Sequence, residues 1–282
     1  MNTIQAIAVA VLQGATELFP VSSLGHAVVL PAVLHWHIDQ RAPEFLPFLV
    51  MLHLGTATAL LLYFWRDWLA LLLGVLGLAD AHQRHESRRV FVLVVVATIP
   101  VVILGFLAEK FFRSLFGSPM VAASFLVVNG LLLVFGEGIR GMGRRPLSNL
   151  TALDALVIGC WQCTALIPGI SRSGATIVGG LLRGVDHEGS AHFSFLIATP
   201  AILGATALEV PRLLAASVPP DVFTRSAIAA VVAGVTAYLS TLFLMRYFRR
   251  NDEWALNPFG YYCMAAGLGS VAWLLLPRLL QG

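Results

Sequence analysis

Apolar residues run through this chain in long stretches separated by short polar breaks. The stretches fall near residues 3–19, 27–35, 46–65, 68–79, 90–108, 120–136, 153–170, 174–182, 191–209, 226–246 and 256–276. A helix that crosses a bilayer needs about 20 apolar residues, and several stretches reach that length. Four do not: 3–19 stops at Pro20, 27–35 is short, 153–170 stops at Pro168, and 174–182 is equally short. The short stretches come in pairs, each pair flanking a polar break. Irregular backbone at membrane depth survives only where it is buried in protein or lines a cavity. The pattern therefore predicts two re-entrant or broken segments that enter the membrane part-way. Polar loops are expected at 80–89, 137–149 and 246–253, and 109–119 reads as an amphipathic segment lying along an interface.

Composition narrows the class. Of 282 residues, 58% are hydrophobic and 12% charged, with mean hydropathy +0.82. A soluble domain carries about 25% charged residues, so this chain cannot clothe a water-facing surface. The expectation is an all-α polytopic membrane protein, a helical bundle forming one integral membrane domain over 1–282. The net charge of +3 is small and its cations sit in loops, which signals topology and lipid contact rather than nucleic acid. The first 20 residues have no basic n-region and no small-residue cleavage site after the apolar run, so they read as a first membrane helix. Cys160 and Cys163 form a C-x-x-C without a second pair, which reads as helix packing rather than a metal or redox site.

The two halves echo one another. "TELFPVSSLGH" at 16–26 parallels "TALIPGISRSG" at 164–174, with Pro20 and Pro168 148 residues apart. "VVVATIPVVILG" at 94–105 parallels "FLIATPAILG" at 195–204 in the same order. Two repeats, roughly 1–140 and 150–282, follow, and in membrane proteins such repeats are often inverted with the site where the broken segments meet.

The breaks carry the chemistry. In the first, Gln13 and Glu17 are four apart and share a helix face. A carboxylate inside an apolar run is costly and marks function by default. Ser22, Ser23 and His26 follow within ten residues. The plainer alternative is a serine N-cap with Glu17 paired to an arginine. In the second break, Arg172 lies between Ser171 and Ser173, before Gly174. A helix expected to start near Ala175 would turn the N–H groups of Ser171 to Gly174 toward an anion, and the guanidinium adds a fork matched to phosphate oxygens. The plainer alternative is a snorkelling Arg172 with serine caps. Together, one break can bind a divalent cation and move protons, and the other can hold phosphate. That combination suits phosphoryl chemistry.

"QGATELFPVSSLGH" and "PGISRSGAT" resemble the two signature motifs of the undecaprenyl-diphosphate phosphatase family of the BacA/UppP type, and the likeness extends through "GCWQCTALIPGISRSGATIVGG" and "FSFLIATPAILGATAL". The resemblance covers essentially the whole chain. It implies an integral membrane hydrolase of the bacterial inner membrane. Such an enzyme removes the terminal phosphate of a C55 polyprenyl diphosphate to give the monophosphate lipid carrier of cell-wall synthesis, and its overproduction gives bacitracin resistance. The implied fold is a bundle of inverted repeats with re-entrant helices. Glu17 matches the family's second acidic position, Ser23 and His26 its first motif, and Ser171, Arg172, Ser173 and Thr176 its second. Gln13 stands where many members have Glu, and Leu24 where a Thr is usual.

By this reading Glu17, Ser23, His26 and Arg172 are catalytic. Ser171, Arg172, Ser173, Gly174 and Thr176 hold phosphate. A divalent cation, Mg²⁺ or Ca²⁺, sits at Glu17 with help from Gln13. Ser23, His26 or a water is the nucleophile, and His26 or Glu17 the base. The partners are the lipid substrate and the membrane, with a homodimer allowed for. His53 and Gln162 are intramembrane and could face the site, whereas His35, His37, His82, His85 and His187 read as loop residues. Gly55, Gly179 and Gly180 read as helix-contact positions. The rival class is a transporter or flippase for phosphate-bearing lipid, which broken helices around an anion site would also serve.

Overall fold

The computed structural model describes residues 3–36, 45–115, 117–139, 145–215 and 220–279. Twelve α-helices form from these residues: α1 (Thr3–Thr16), α2 (Ser23–Val33), α3 (Phe45–Tyr63), α4 (Trp65–Val75), α5 (Ala81–Leu107), α6 (Glu109–Leu115), α7 (Pro119–Ile139), α8 (Ala152–Thr164), α9 (Arg172–Leu182), α10 (His187–Ala215), α11 (Pro220–Arg250) and α12 (Asn257–Leu279). Among the described residues no strand forms, only a single bridge between Arg145 and Val185. Five helices (α5, α7, α10, α11 and α12) are long and apolar enough to cross a membrane, and α3 with α4, bent by 76°, makes a sixth if counted as one span. The apolar helices α1, α2 and α8 are too short to cross. The protein is a polytopic helical bundle with broken segments, as the apolar pattern predicts.

Of the three expected loops, 80–89 and most of 246–253 are helical, whereas 137–149 is, among the described residues, helical only over 137–139 and the short 3₁₀ turn Leu147–Asn149. Asp80 caps α5, its carboxylate accepting the Gln83 N–H at 2.9 Å, so polar residues 81–89, with His82 and His85, form the first turns of that helix. α7 runs on through Glu137, and α11 through Arg250. Helix ends follow caps and ion pairs, which apolar periodicity does not register. Residues 140–144 and His37 lie outside the described residues.

These polar helix ends meet in one layer at one end of the bundle. His187, expected in a loop, is fully buried. Its Nε2 lies 2.9 Å from Glu137 and its Nδ1 3.0 Å from Asp252. Glu137 also accepts the backbone N–H groups of Trp254 at 3.0 Å and Leu256 at 3.1 Å. Arg89 donates to the carbonyls of Ser148 and Leu150. Asp154, in the first turn of α8 and outside the spanning helices, binds Arg183 at 2.6 Å and Arg145 at 3.0 Å and completes a capping box with Thr151. Burial alone would raise its pKa, but the Thr151 N–H and the two guanidiniums outweigh that and hold it well below the usual carboxylate range. A depressed carboxylate stabilises the fold above its unfolded pKa, and that stability is lost only as pH falls through the folded value. This clamp should therefore persist through mildly acidic buffers. Asp154→Asn removes the carboxylate from Arg183 while Arg145 keeps the Arg183 and Asn149 carbonyls, and is expected to cost about 2 kcal/mol, read as a lower melting temperature in detergent. An unchanged melt would show the clamp to be dispensable.

Two helical hairpins enter the bundle from opposite ends. α8 leaves the ion-pair layer and α9 returns to it. α1 instead packs Ala6, Val9 and Ala10 against Phe48 and Ala229, near the starts of α3 and α11, so the α1–α2 hairpin comes from the far side. Their turns touch backbone to backbone: a Cβ on Gly25 would sit 3.0 Å from Gly169 Cα. Elsewhere Gly55 lets α3 press on the Ala230 carbonyl, and Gly179 and Gly180 take Trp161 and Ser190, the helix contacts expected of them.

Candidate active site

The first break is built by local rules. The Glu17 N–H still reaches the Gln13 carbonyl at 2.9 Å, and Pro20, which has no N–H, lies beyond the end of the helix. Ser22 adopts φ 68° and caps α2, its Oγ accepting the Gly25 N–H at 3.2 Å. A non-glycine residue in that region carries about 1–3 kcal/mol of strain. Ser23 and His26 thereby fall in the first turn of α2. In the second break Gly169 turns the chain at φ 105°, and Ser171 caps α9 by accepting the Gly174 N–H at 3.1 Å. The helix begins at Arg172, three residues earlier than Ala175, because Ser171 rather than Gly174 supplies the cap.

Glu17 is where the two breaks join. One carboxylate oxygen accepts from Gln13 Nε2 at 2.9 Å and from Ser23 Oγ at 2.6 Å. The other faces Arg172 Nη2 at 3.3 Å, across 155 residues of sequence. The Arg172 and Glu17 side chains are 14% and 8% exposed, so Arg172 does not snorkel to an interface. Arg172 also donates to the Ser194 carbonyl at 3.4 Å.

Further bonds hold the breaks in register. Asn129, buried in the middle of α7, donates to the Pro20 carbonyl at 3.0 Å and accepts the Ser171 N–H at 2.8 Å. Ser173 and Ser171 both donate to the Phe19 carbonyl, at 3.1 and 3.4 Å. Thr176 Oγ1 lies 2.6 Å from Ser194 Oγ and donates to the Arg172 carbonyl at 2.8 Å. The hydroxyls of Ser171, Ser173 and Thr176 are thus at the site but engaged with protein. The Gly174 N–H is engaged as well. The N–H groups of Arg172 and Ser173, in the first turn of α9, have no intrahelical acceptor.

His26 faces elsewhere. Its Nδ1 lies 2.7 Å from the Ser22 carbonyl, which fixes Nδ1 as the donor, and its Nε2 lies 2.8 Å from Tyr262 Oη, with the two rings stacked at 5.7 Å. It makes no hydrogen bond to Ser23 or Glu17. His53 touches the edge of the site, its Nδ1 3.5 Å from Gln13 Nε2. Gln162 is buried away from Glu17, against the Ala97 carbonyl at 3.4 Å. Asn129, Ser194 and Tyr262 escape sequence reasoning. Asn129 alone interrupts a long apolar run, "FLVVNGLLLVFG"; Ser194 follows other polar residues of α10 and Tyr262 stands beside Tyr261, so neither is marked out.

The donor set bears on the expected cation. Among the described residues no three His, Cys, Asp or Glu side chains gather. Glu17 is the carboxylate of the cluster, its oxygens accepting from Gln13, Ser23 and Arg172. That fits Mg²⁺, which keeps several waters and takes one or two carboxylates plus substrate phosphates, better than Ca²⁺, which wants six to eight oxygens.

A buried carboxylate–hydroxyl–guanidinium cluster, assembled where opposed re-entrant hairpins meet, defines a multi-pass membrane protein that brings polar chemistry inside the bilayer. The chain matches the model of the family described as bacitracin resistance protein BacA over residues 6–269, and it belongs to that family. It is 66% identical to an undecaprenyl-diphosphatase of Granulibacter bethesdensis, over 97% of each chain. It is 55% identical to an undecaprenyl-diphosphatase of Acidiphilium cryptum, over 98% of this chain and 99% of that one. An undecaprenyl-diphosphatase 2 of Oenococcus oeni is 40% identical over 96% of this chain and 98% of its own.

Proposed function

We propose that this protein hydrolyses undecaprenyl diphosphate to undecaprenyl monophosphate and inorganic phosphate in the bacterial inner membrane, recycling the lipid carrier of peptidoglycan synthesis. The observation that carries the reading is the Ser23–Glu17–Arg172 chain, a hydroxyl, a base and a phosphate-binding fork within hydrogen-bond reach. A pure carrier of phosphate-bearing lipid would need the fork but not the Ser23–Glu17 contact. The names of the relatives support the same substrate.

The mechanism follows from what each group already bonds. The terminal phosphate of the substrate competes with Glu17 for Arg172 and takes the N–H groups of Arg172 and Ser173 at the positive end of α9. Glu17, released from its ion pair, accepts the Ser23 proton across the 2.6 Å contact. Ser23 Oγ bonds to the terminal phosphorus as the bridging P–O bond breaks, and the polyprenyl monophosphate departs. Water then bonds to the phosphoserine phosphorus as the Ser23 Oγ–P bond breaks; Glu17 returns its proton to Ser23 Oγ, and inorganic phosphate leaves with the water oxygen while the surplus proton goes to solvent. His26, held by the Ser22 carbonyl and Tyr262, fixes the turn that presents Ser23 rather than exchanging a proton with the substrate. When bound, a divalent cation held by Glu17 and Gln13 would offset diphosphate charge. The same reading treats 1–140 and 150–282 as inverted repeats, supported by matching caps at Ser22 and Ser171, and allows a homodimer.

The deciding experiment is phosphate release from a C55 polyprenyl diphosphate by the purified protein. Chelation should lower it about a hundredfold, with Mg²⁺ restoring it. Release that EDTA does not touch would remove the cation from the scheme. Ser23→Ala should lower release about 10³-fold and abolish a radiolabelled phosphoenzyme trapped by acid quench. Full activity in Ser23→Ala would make water the nucleophile. No release by folded parent protein, in several lipids and metals, would leave the transporter as the leading account.

A further inference from the structure

A cleft of about 670 Å³ opens where the end of α3 meets the last turns of α11, lined by Tyr63, Leu242, Phe243, Arg246, Arg249 and Arg250. None of these residues belongs to the Glu17–Arg172 cluster. The arginines stand at i, i+3 and i+4 on α11 and share one face. All three are exposed. Arg249 is answered by Glu188 at 3.0 Å. The nearby Asp67 is turned to His192 at 3.4 Å. Among the described residues, Arg246 and Arg250 have no carboxylate partner. Cations near a helix C-terminus answer its dipole, but that does not account for a walled cleft with two unpaired guanidiniums and a phenol at its edge.

The apolar wall gives the occupant its shape. Leu242 and Phe243 lie one turn deeper than the guanidiniums, and the exposed Leu239 and Val235 carry the apolar strip on along α11. α11 is itself long and apolar enough to cross the membrane, so this strip faces lipid. Charge assigns the side. The ion-pair layer at this end also carries Arg84, Arg88, Arg89 and Arg145, and a concentration of arginine marks the cytoplasmic face, where anionic lipids gather. The cleft is also in touch with the site, since the Phe243 ring stacks on Phe19 of the first break at 5.8 Å.

We propose that this cleft is a second site, binding the phosphate headgroup of an anionic membrane lipid on Arg246 and Arg250 with an acyl chain along Leu242 and Leu239. Free phosphate shares the headgroup chemistry but has no use for the apolar strip. The test is native mass spectrometry of the full-length, delipidated protein in neutral detergent, offered equal phosphatidylglycerol and phosphatidylcholine. The parent should retain phosphatidylglycerol preferentially. R246Q/R250Q should weaken that retention about 25-fold, a factor of about five for each charge, while its phosphate release in neutral lipid stays at the parental level. R246K/R250K should keep the preference, since a point charge suffices. If the glutamine pair unfolds, the lysine pair decides: a folded lysine variant without the preference overturns the proposal. Equal retention of both lipids by the parent, undiminished retention by folded R246Q/R250Q, or displacement of the lipid by an equal concentration of inorganic phosphate would each overturn it as well.

Discussion

Arg172→Ala is expected to lower phosphate release from a polyprenyl diphosphate about 10³-fold or more. Two losses combine. The substrate loses its only guanidinium from the second break, and removing one preorganised donor to developing charge costs about 10²–10³ in rate. Glu17 loses its counter-charge and stays buried with Gln13 and Ser23 as its remaining partners. Breaking a buried ion pair by deleting one member costs about 3–5 kcal/mol, so the melting temperature of the variant should fall together with its rate. Arg172→Lys separates the two effects. It restores the charge beside Glu17 and most of the thermal stability, but not the planar fork, and should remain at least about tenfold slow. A double-mutant cycle with Glu17→Gln gives a further check, because residues in direct contact are non-additive. Arg172→Ala releasing phosphate within tenfold of the parent would place substrate recognition elsewhere.

Gly169→Ala should be the most disruptive single-methyl change in the second break. Its φ of 105° lies where a β-carbon clashes with the backbone, and that carbon would overlap the Ala122 carbonyl oxygen and lie 2.7 Å from Phe125 Cβ. Neither neighbour can yield cheaply, because α7 is fixed there by Asn129, which holds both breaks. Strain and overpacking together should cost about 3 kcal/mol or more. The expected result is a strong loss of monodisperse protein, and in any recovered fraction a loss of phosphate release, as the turn bearing Arg172 moves off Glu17. Gly204→Ala and Gly269→Ala supply the comparison: nothing lies within 4 Å of a Cβ at either position, and each should be neutral or stabilising by about 1 kcal/mol. Equal behaviour of all three in size-exclusion and melting assays would show that the turn tolerates a side chain.

These expectations rest on features of different legibility. Gln13, Glu17, Ser22, Ser23 and His26 lie within fourteen residues, so their pairing is a matter of helical spacing and capping, and the sequence shows it. Both plainer alternatives contain part of the truth: Ser22 and Ser171 do cap helices, and Glu17 does pair with an arginine. That arginine is Arg172, so cap and site coincide. The proline echo at a spacing of 148 becomes, in three dimensions, two serine caps whose numbers differ by 149, a relation that matching letters only approximates.

Apolar run lengths, the proline and serine punctuation and the shortage of charge determined by themselves that this chain is a membrane bundle with two broken segments, and that each break carries polar chemistry. These are local quantities, set by how many residues span a bilayer and which residues end a helix. Only the tertiary structure decided that the hairpins enter from opposite ends, that Glu17 meets Arg172, that Asn129 and Phe19 bind the two breaks together, and that His26 turns to Tyr262 rather than Ser23. It also decided that the polar stretches at 80–89 and 246–250 are helical and converge with His187 in a layer of ion pairs. A lone polar side chain in an apolar helix has no local pattern to reveal its partner. That partner is fixed by packing between helices that the sequence holds far apart.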